Sequence, residues 1–156
     1  MVALKELPFF STLAPQEREQ LERIARNRTY AAGTTLWKEG DAAGSLRILV
    51  KGLVSFRQKQ KGGGTDALMG SLHDAGDTFG IAALVGEKHT YRYTAVCLEE
   101  TEVVEIDGAP LMRLCEEQPK LGFAILMRLA STLAERLAAA REQIRSRIRP
   151  GLISHG

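Results

Sequence analysis

Between residues 35 and 106 the chain alternates short apolar stretches with glycine-containing turns, and few folds accommodate that alternation. The stretches are three to six residues long, which suits β-strands better than helices. They cover residues 35–37, 46–50, 53–57, 67–72, 94–97 and 101–106. Strands of this length, separated by turns, indicate a β-barrel or a β-sandwich. The glycines at 62–64 lie between two stretches and predict a hairpin tip.

Helical patterns flank this β-rich region on both sides. Residues 7–27 predict one N-terminal helix, because Pro15 supplies a start signal and apolar residues follow at helical spacing. The buried face of this helix would consist of Leu13, Leu21, Ile24 and Ala25. After Pro110 the apolar period changes from two to about 3.6 residues. That change predicts a short helix over 111–117 and a long helix over 119–149.

The long helix carries an apolar stripe at steps of three and four residues. The stripe consists of Leu126, Leu129, Leu133, Leu137, Ala140, Ile144 and Ile148. A helix of this length extends for about 45 Å, which is more than one small barrel covers. Its outer half therefore requires a second partner.

Composition is typical of a single globular domain. Of the 156 residues, 44% are apolar and 26% are charged, and the net charge of +2 gives no general attraction to nucleic acid or membranes. The sequence contains no secretory signal and no apolar run of membrane-spanning length, so we expect a cytoplasmic protein. We expect one structural domain with a core over 1–118, the long helix over 119–149 and a tail over 150–156.

Motifs for catalysis or metal binding are absent from the sequence, which has no nucleophile elbow, P-loop or metal-ligand pair. We therefore predict that the chain is not an enzyme and has no metal site. Cys97 and Cys115 lack the spacing of a cluster site and are predicted to be buried apolar residues, whereas His73 and His89 are predicted to lie at the surface. A solvated helix end is predicted for Arg141, Arg145, Arg147 and Arg149.

Four segments occur in the order and spacing of a known family. Residues 32–54 contain its opening strands and turn glycines, and residues 75–80 lead into its phosphate-binding cassette. Residues 94–106 match its next two strands, and residues 125–137 match its dimer helix. Over residues 7–147 the chain thus resembles the cyclic nucleotide-binding domains of the catabolite-activator/fumarate-nitrate-regulator (CRP/FNR) family.

The resemblance implies a mainly β fold with flanking helices. In that fold a β-roll, or jelly roll, of about eight strands is followed by a short helix and a long dimerisation helix. It also implies a small-molecule effector in a pocket under the cassette, whose binding shifts the long helix of a homodimer. The dimer-helix residues would be Leu126, Leu129, Leu133, Leu137 and Ile144. Neither a membrane nor nucleic acid is an expected partner of this chain.

The polar residues of the family's site are replaced in this sequence. The family binds a cyclic phosphate with backbone N–H groups and an arginine, and binds the ribose with a glutamate. Ile81 stands where the glutamate is expected, and an ungapped count back from Glu105 puts Tyr91 at the arginine position. Arg92 takes that position if the turn at 99–100 is one residue shorter, so both assignments stay open.

Such replacements predict altered ligand specificity, because each lost partner costs a few kcal/mol of binding. The effector would be a cyclic nucleotide or another small anionic molecule. The candidate ligand-binding residues are Phe79, Gly80, Ile81, Ala82, Ala83, Leu84, Tyr91, Arg92, Tyr93, Thr94, Ala140 and Arg141. Two alternatives remain open: a ligand-free dimerisation or interaction module, and the sensor fragment of a transcription regulator whose helix-turn-helix is missing.

Overall fold

The computed structural model describes residues 4–85 and 89–147. Within them, eight strands form two four-stranded antiparallel sheets. The strands are β1 (Ala25–Tyr30), β2 (Thr35–Trp37), β3 (Ser45–Lys51), β4 (Val54–Gln58), β5 (Ala67–Leu72), β6 (Thr78–Phe79), β7 (Thr94–Cys97) and β8 (Thr101–Asp107). The first sheet has the order β1-β8-β3-β6 and the second sheet has the order β2-β7-β4-β5. The predicted mainly β fold is confirmed.

Helices precede and follow the two sheets. The described helices are α1 (Pro8–Ser11), α2 (Pro15–Ile24), α3 (Gly108–Glu117) and α4 (Pro119–Arg147). Leu4–Glu6 and Ile81–Ala83 form short 3-10 turns, and we call the second one the cassette turn. Within the described residues, no helix is both long enough and apolar enough to cross a membrane.

The prediction of one N-terminal helix over 7–27 was wrong. Ala14 has an extended ψ of 151°, which the following proline favours, so α1 and α2 are separate helices. The chain then enters β1 at Ala25, where the backbone pairs with β8 from Ala25 opposite Ile106 to Tyr30 opposite Thr101. Residues 25–27 are therefore strand and not helix, because backbone pairing with β8 outweighs the helix preference indicated by the apolar spacing.

The acidic turn at 99–100 joins strands of different sheets. β7 pairs with β2 and β4, whereas β8 pairs with β1 and β3. The hairpin prediction for the glycines at 62–64 is confirmed, since β4 and β5 pair on either side of them.

Two apolar clusters hold the layers together. The helix-facing core packs the helices on the first sheet and includes Leu46 and Ile48 of β3. The interior core lies between the sheets and contains Trp37, Leu49, Val54, Phe79, Tyr91, Ala95 and Val103. Because both faces of β3 are covered, its sequence is almost continuously apolar instead of alternating.

The long helix contacts the rest of the domain along only part of its length. Leu121, Ile125 and Leu129 are buried in the helix-facing core. Leu129, which was expected among the dimer-helix residues, thus packs against the roll. By contrast, Leu126, Leu133, Leu137 and Ile144 are between 45% and 60% exposed. The predicted stripe residue Ile148, the end of the helix at 149 and the tail at 150–156 lie outside the described residues.

Candidate effector site

The cassette turn begins at a position that accepts only glycine. Gly80 has a φ of 73°, and a Cβ there would lie 2.7 Å from the carbonyl oxygen of Ser45. Ala83 lies under the start of α3, where a Cβ on Gly108 would be 2.4 Å from its carbonyl oxygen. The cassette turn is therefore fixed between β3 and α3 by two close backbone approaches.

The side chains of the cassette turn point into different cores. Ile81 and Leu84 are buried in the helix-facing core. Phe79 belongs to the interior core, and Ala82 packs against it. The expected glutamate position is thus occupied by a side chain that anchors the turn to the helices.

Tyr91 fills the interior of the roll beneath Gly80. Its ring stacks on Trp37, with centroids 4.0 Å apart and planes 17° from parallel. Its hydroxyl donates to the carbonyl oxygen of Ser45 at 2.8 Å and accepts from the Ser45 N–H at 3.2 Å. Only 6% of the residue is exposed.

Arg92 and Tyr93 point away from this interior. Both are exposed, and β7 begins only at Thr94, so the alternation expected of a strand does not apply to residues 91–93. The hydroxyl of Thr94 accepts the N–H of Glu39 at 2.9 Å. Of the two residues considered for the arginine position, Tyr91 is therefore the one with an inward side chain.

A buried arginine that the sequence analysis missed adjoins Tyr91. Arg47 lies on the inner face of β3, and its side chain is 10% exposed. Its Nε donates to Glu105 at 3.2 Å, one terminal nitrogen lies 3.4 Å from the Tyr91 hydroxyl, and the guanidinium lies 5.2 Å from the centre of the Trp37 ring. A basic residue inside an otherwise apolar strand was the signal that could have identified it.

Glu105 is the centre of a polar network on the same sheet face. It accepts hydrogen bonds from Tyr30 at 2.6 Å, from Arg26 at 3.2 Å and from Arg47. Burial acts to raise the pKa of Glu105, but the Tyr30 hydrogen bond and the two arginines outweigh it and hold the pKa below its usual value. Burial, together with the bond to Glu105, raises the pKa of Tyr30.

The network extends to the edge of the sheet through Asp107. Arg26 donates to both carboxylate oxygens of Asp107, at 2.8 and 3.0 Å, and the Ser45 hydroxyl donates to it at 2.8 Å. The bonds from Arg26 and Ser45 lower the pKa of Asp107. Two arginines thus face two carboxylates, so the network is neutral overall.

One side chain of α4 reaches the strand before the cassette turn. The Arg136 guanidinium donates to the carbonyl oxygen of Thr78 in β6. Burial lowers the pKa of Arg136, and the charges of Asp77 and Glu135 oppose that shift. Ala140 and Arg141 are exposed farther along the helix, and within the described residues no hydrogen bond joins their side chains to the roll.

The remaining candidates lie where they were expected. Cys97 is buried in β7, Cys115 is half-buried in α3, and burial raises the pKa of each thiol. His73 and His89 are exposed, as are Arg141, Arg145 and Arg147, whereas Arg149 lies outside the described residues. Residues 4–85 and 89–147 contain no group of three or more potential metal ligands.

A two-sheet roll with a glycine-initiated cassette turn and a long terminal helix defines a regulatory domain of the cyclic nucleotide-binding class. The chain belongs to the cyclic nucleotide-binding domain family of the CRP/FNR type, whose family model, "Cyclic nucleotide-binding domain", matches residues 27–118. The resemblance inferred from the sequence is confirmed.

Individual relatives agree with this assignment. The chain is 28% identical to the cyclic AMP receptor protein of Thermus thermophilus over 88% of its own length and 60% of the relative. It is 35% identical to the fumarate and nitrate reduction regulatory protein of Vibrio cholerae, over 80% of its own length and 48% of the relative. The chain thus spans about half to three fifths of these curated relatives.

Solved structures show the same fold. A putative cyclic nucleotide-binding protein from Geobacter metallireducens superimposes with a TM-score of 0.76 at 24% identity, covering 88% of this chain and 99% of that one. The Thermus thermophilus catabolite activator protein superimposes with a TM-score of 0.70 at 25% identity, covering 88% and 62%.

Proposed function

We propose that this chain is an effector-sensing regulatory domain that signals through α4 and binds something other than a conventional cyclic nucleotide. The observation that carries the proposal is the hydrogen bond from Arg136 of α4 to the carbonyl oxygen of Thr78. Thr78 directly precedes Phe79 and Gly80, so a shift of the cassette turn moves an atom that α4 holds. An effector that favours one position of the turn would thereby favour one position of the helix.

Altered specificity follows from the two replaced contacts. A cyclic phosphate in this roll would meet the buried Tyr91 ring instead of an arginine, and Ile81 offers no acceptor for a ribose hydroxyl. Each missing charge-assisted or polar partner costs about 1–3 kcal/mol, because the ligand group loses its bonds to water without replacement. Two such losses would weaken binding by about 30-fold or more.

A second copy of this chain is the proposed partner of α4. Leu126, Leu133, Leu137 and Ile144 are exposed, and with Ala130 and Ala140 they form a continuous series at alternating steps of four and three residues. That spacing is the heptad seam of a coiled coil, and it repeats over about 27 Å of helix. Two identical seams facing one another form a two-fold interface and thus a homodimer.

The rival function is a ligand-free dimerisation module. It is favoured by the packing of the interior core, where the Tyr91 and Trp37 rings are in contact and both residues are buried. In either case, we propose that the domain belongs to a transcription regulator. Two relatives that are named as a regulatory protein and as a transcriptional activatory protein match this chain over only about half of their own length.

A ligand panel separates sensing from the rival. The purified protein would be melted with cyclic AMP, cyclic GMP, 2-oxoglutarate, haem and inorganic phosphate. A ligand at about 100 times its Kd adds about 2.7 kcal/mol, which raises the Tm by about 5–11 °C at this size. We expect no shift with cyclic AMP, and a clear cyclic AMP shift would refute altered specificity. A flat panel would favour the ligand-free module over a sensor of these compounds.

A further inference from the structure

The interior of the roll holds a complete binding site for a phenol, and its present occupant is Tyr91. The ring lies flat on Trp37 at 4.0 Å between centroids. The hydroxyl both donates to the Ser45 carbonyl oxygen and accepts from the Ser45 N–H. Arg47 supplies a further donor at 3.4 Å. The site therefore matches a flat aromatic ring that bears one hydroxyl group.

These contacts discriminate between classes of ligand. A carboxylate has only acceptors, so it would turn a lone pair toward the Ser45 carbonyl oxygen and be repelled. An aryl ether lacks the proton that Ser45 accepts. A saturated ring is too thick for the face of Trp37 that the Tyr91 ring covers. A neutral phenol satisfies every contact that Tyr91 makes.

The backbone of Tyr91 is held in place independently of its side chain. Its N–H donates to the Asp41 carbonyl oxygen at 2.9 Å, and its own carbonyl oxygen accepts the Gly40 N–H at 2.8 Å. Both bonds persist when the side chain turns about χ1 to another staggered rotamer.

We propose that the effector of this domain is a small phenol that displaces the Tyr91 ring from Trp37 and takes over its hydrogen bonds to Ser45. The inference rests on the proposed sensing function and names the ligand class of the same site. The Ser45 carbonyl oxygen that would accept the hydroxyl lies 2.7 Å from where a Cβ on Gly80 would stand, so the phenol would bind beside the start of the cassette turn.

The test uses Trp37, which is the single tryptophan of the chain and forms the floor of the site. The whole protein is titrated with p-cresol, 4-methylanisole and 4-methylcyclohexanol while tryptophan emission is recorded. We expect p-cresol to change the emission saturably. The ether lacks the donated proton and the alcohol lacks the flat ring, so each should bind about tenfold more weakly or worse.

Two matched tyrosine variants provide the control. Tyr91→Phe keeps the stacked ring but removes its hydrogen bonds to Ser45, so the internal occupant competes less and p-cresol should bind about tenfold more tightly. Tyr93→Phe removes an exposed hydroxyl two residues away and should leave the affinity unchanged. Phe fits the space of Tyr in both variants, and circular dichroism checks that each one folds.

The proposal is overturned if p-cresol leaves Trp37 unchanged in both the wild type and Tyr91→Phe, or if the ether or the alcohol binds as tightly as p-cresol. Sensing itself would survive that result if another compound of the ligand panel stabilised the protein. If neither the phenols nor the panel bound, the sensing function would fail as well.

Discussion

At the scale of single residues, the main finding is a charged network inside an apolar roll. Glu105 of β8 joins Arg26 and Tyr30 of β1 and Arg47 of β3, across three neighbouring strands of one sheet. A buried ion pair adds little stability compared with apolar packing, but removing one partner leaves the other charge unpaired. The buried charges of Glu105 and Arg47 therefore need one another for the stability of the fold, with or without a bound ligand.

Glu105→Gln tests this dependence. We expect the free energy of unfolding at neutral pH to fall by about 3 kcal/mol, because Arg47 loses its buried counter-charge while the amide oxygen still accepts a hydrogen bond. The native pKa of Glu105 is lowered, so the carboxylate stabilises the wild type above the usual carboxyl pKa and this stabilisation is lost as the pH falls. The stabilisation is lost below about pH 4.5, so the variant should lose less stability than the wild type between about pH 7 and pH 3.

Urea unfolding at the two pH values measures both effects. Glu102→Gln is the control, since Glu102 lies on the same strand and makes no side-chain hydrogen bond or ion pair within the described part of the chain. An equal pH dependence for Glu105→Gln and the wild type would contradict the assignment.

At the scale of elements, α4 is joined to the roll by two kinds of contact. Leu121, Ile125 and Leu129 bury its first half in the helix-facing core. Farther along, Arg136 holds β6 by a polar contact to Thr78. Apolar packing fixes where the helix lies, whereas one directional hydrogen bond connects its middle to the cassette turn. A single substitution of Arg136 can therefore remove the hydrogen bond and leave the apolar packing in place.

Arg136→Gln should loosen the cassette turn while leaving the fold intact. Loss of about 1 kcal/mol of hydrogen bonding would speed hydrogen exchange of the amides at 77–84 about fivefold. Arg128→Gln, at an exposed position of the same helix, should leave this exchange unchanged. Exchange measured by mass spectrometry checks both variants, and unchanged exchange in Arg136→Gln would show that the helix and the cassette turn are not coupled.

At the scale of the whole molecule, the exposed seam of α4 is the proposed contact between two copies of the chain. The four larger seam residues are each about half exposed, which is unusual for leucine and isoleucine arranged in one continuous line. A second α4 would cover them along the part of the helix that the roll leaves bare. An effector-driven shift of α4 would then change the geometry of the pair.

Leu133→Ser combined with Leu137→Ser should convert the dimer to a monomer. Both changes lie at the centre of the seam and expose polar groups where leucines would interdigitate. Sedimentation equilibrium at micromolar concentration measures the mass. Leu98→Ser removes a leucine of similar exposure in the turn between β7 and β8, so it should remain dimeric. A wild type that sediments as a monomer would exclude the proposed seam.

Most of the fold could be predicted because apolar spacing and turn residues report local structure. β2, β5 and β7 begin and end where the sequence predicted, and Pro119 opens α4. Residues 25–27 of β1 were assigned to a helix, and no strand was predicted for residues 28–30, because the polar sequence of β1 becomes a strand only by pairing with β8. β6 has two residues, too few for any periodicity.

The replacement of the family's site residues stays a prediction from the linear order of residues, in which counting along the motif gives Ile81 and either Tyr91 or Arg92. The orientation of these side chains could not be counted in this way, because the face that a side chain presents depends on backbone pairing with distant strands. Tertiary structure alone turned Tyr91 onto Trp37, placed Arg47 and Glu105 together inside the roll and brought Arg136 to Thr78. These pairs are separated by 54 to 58 residues, and only the packing of two sheets and a helix brings them within contact distance.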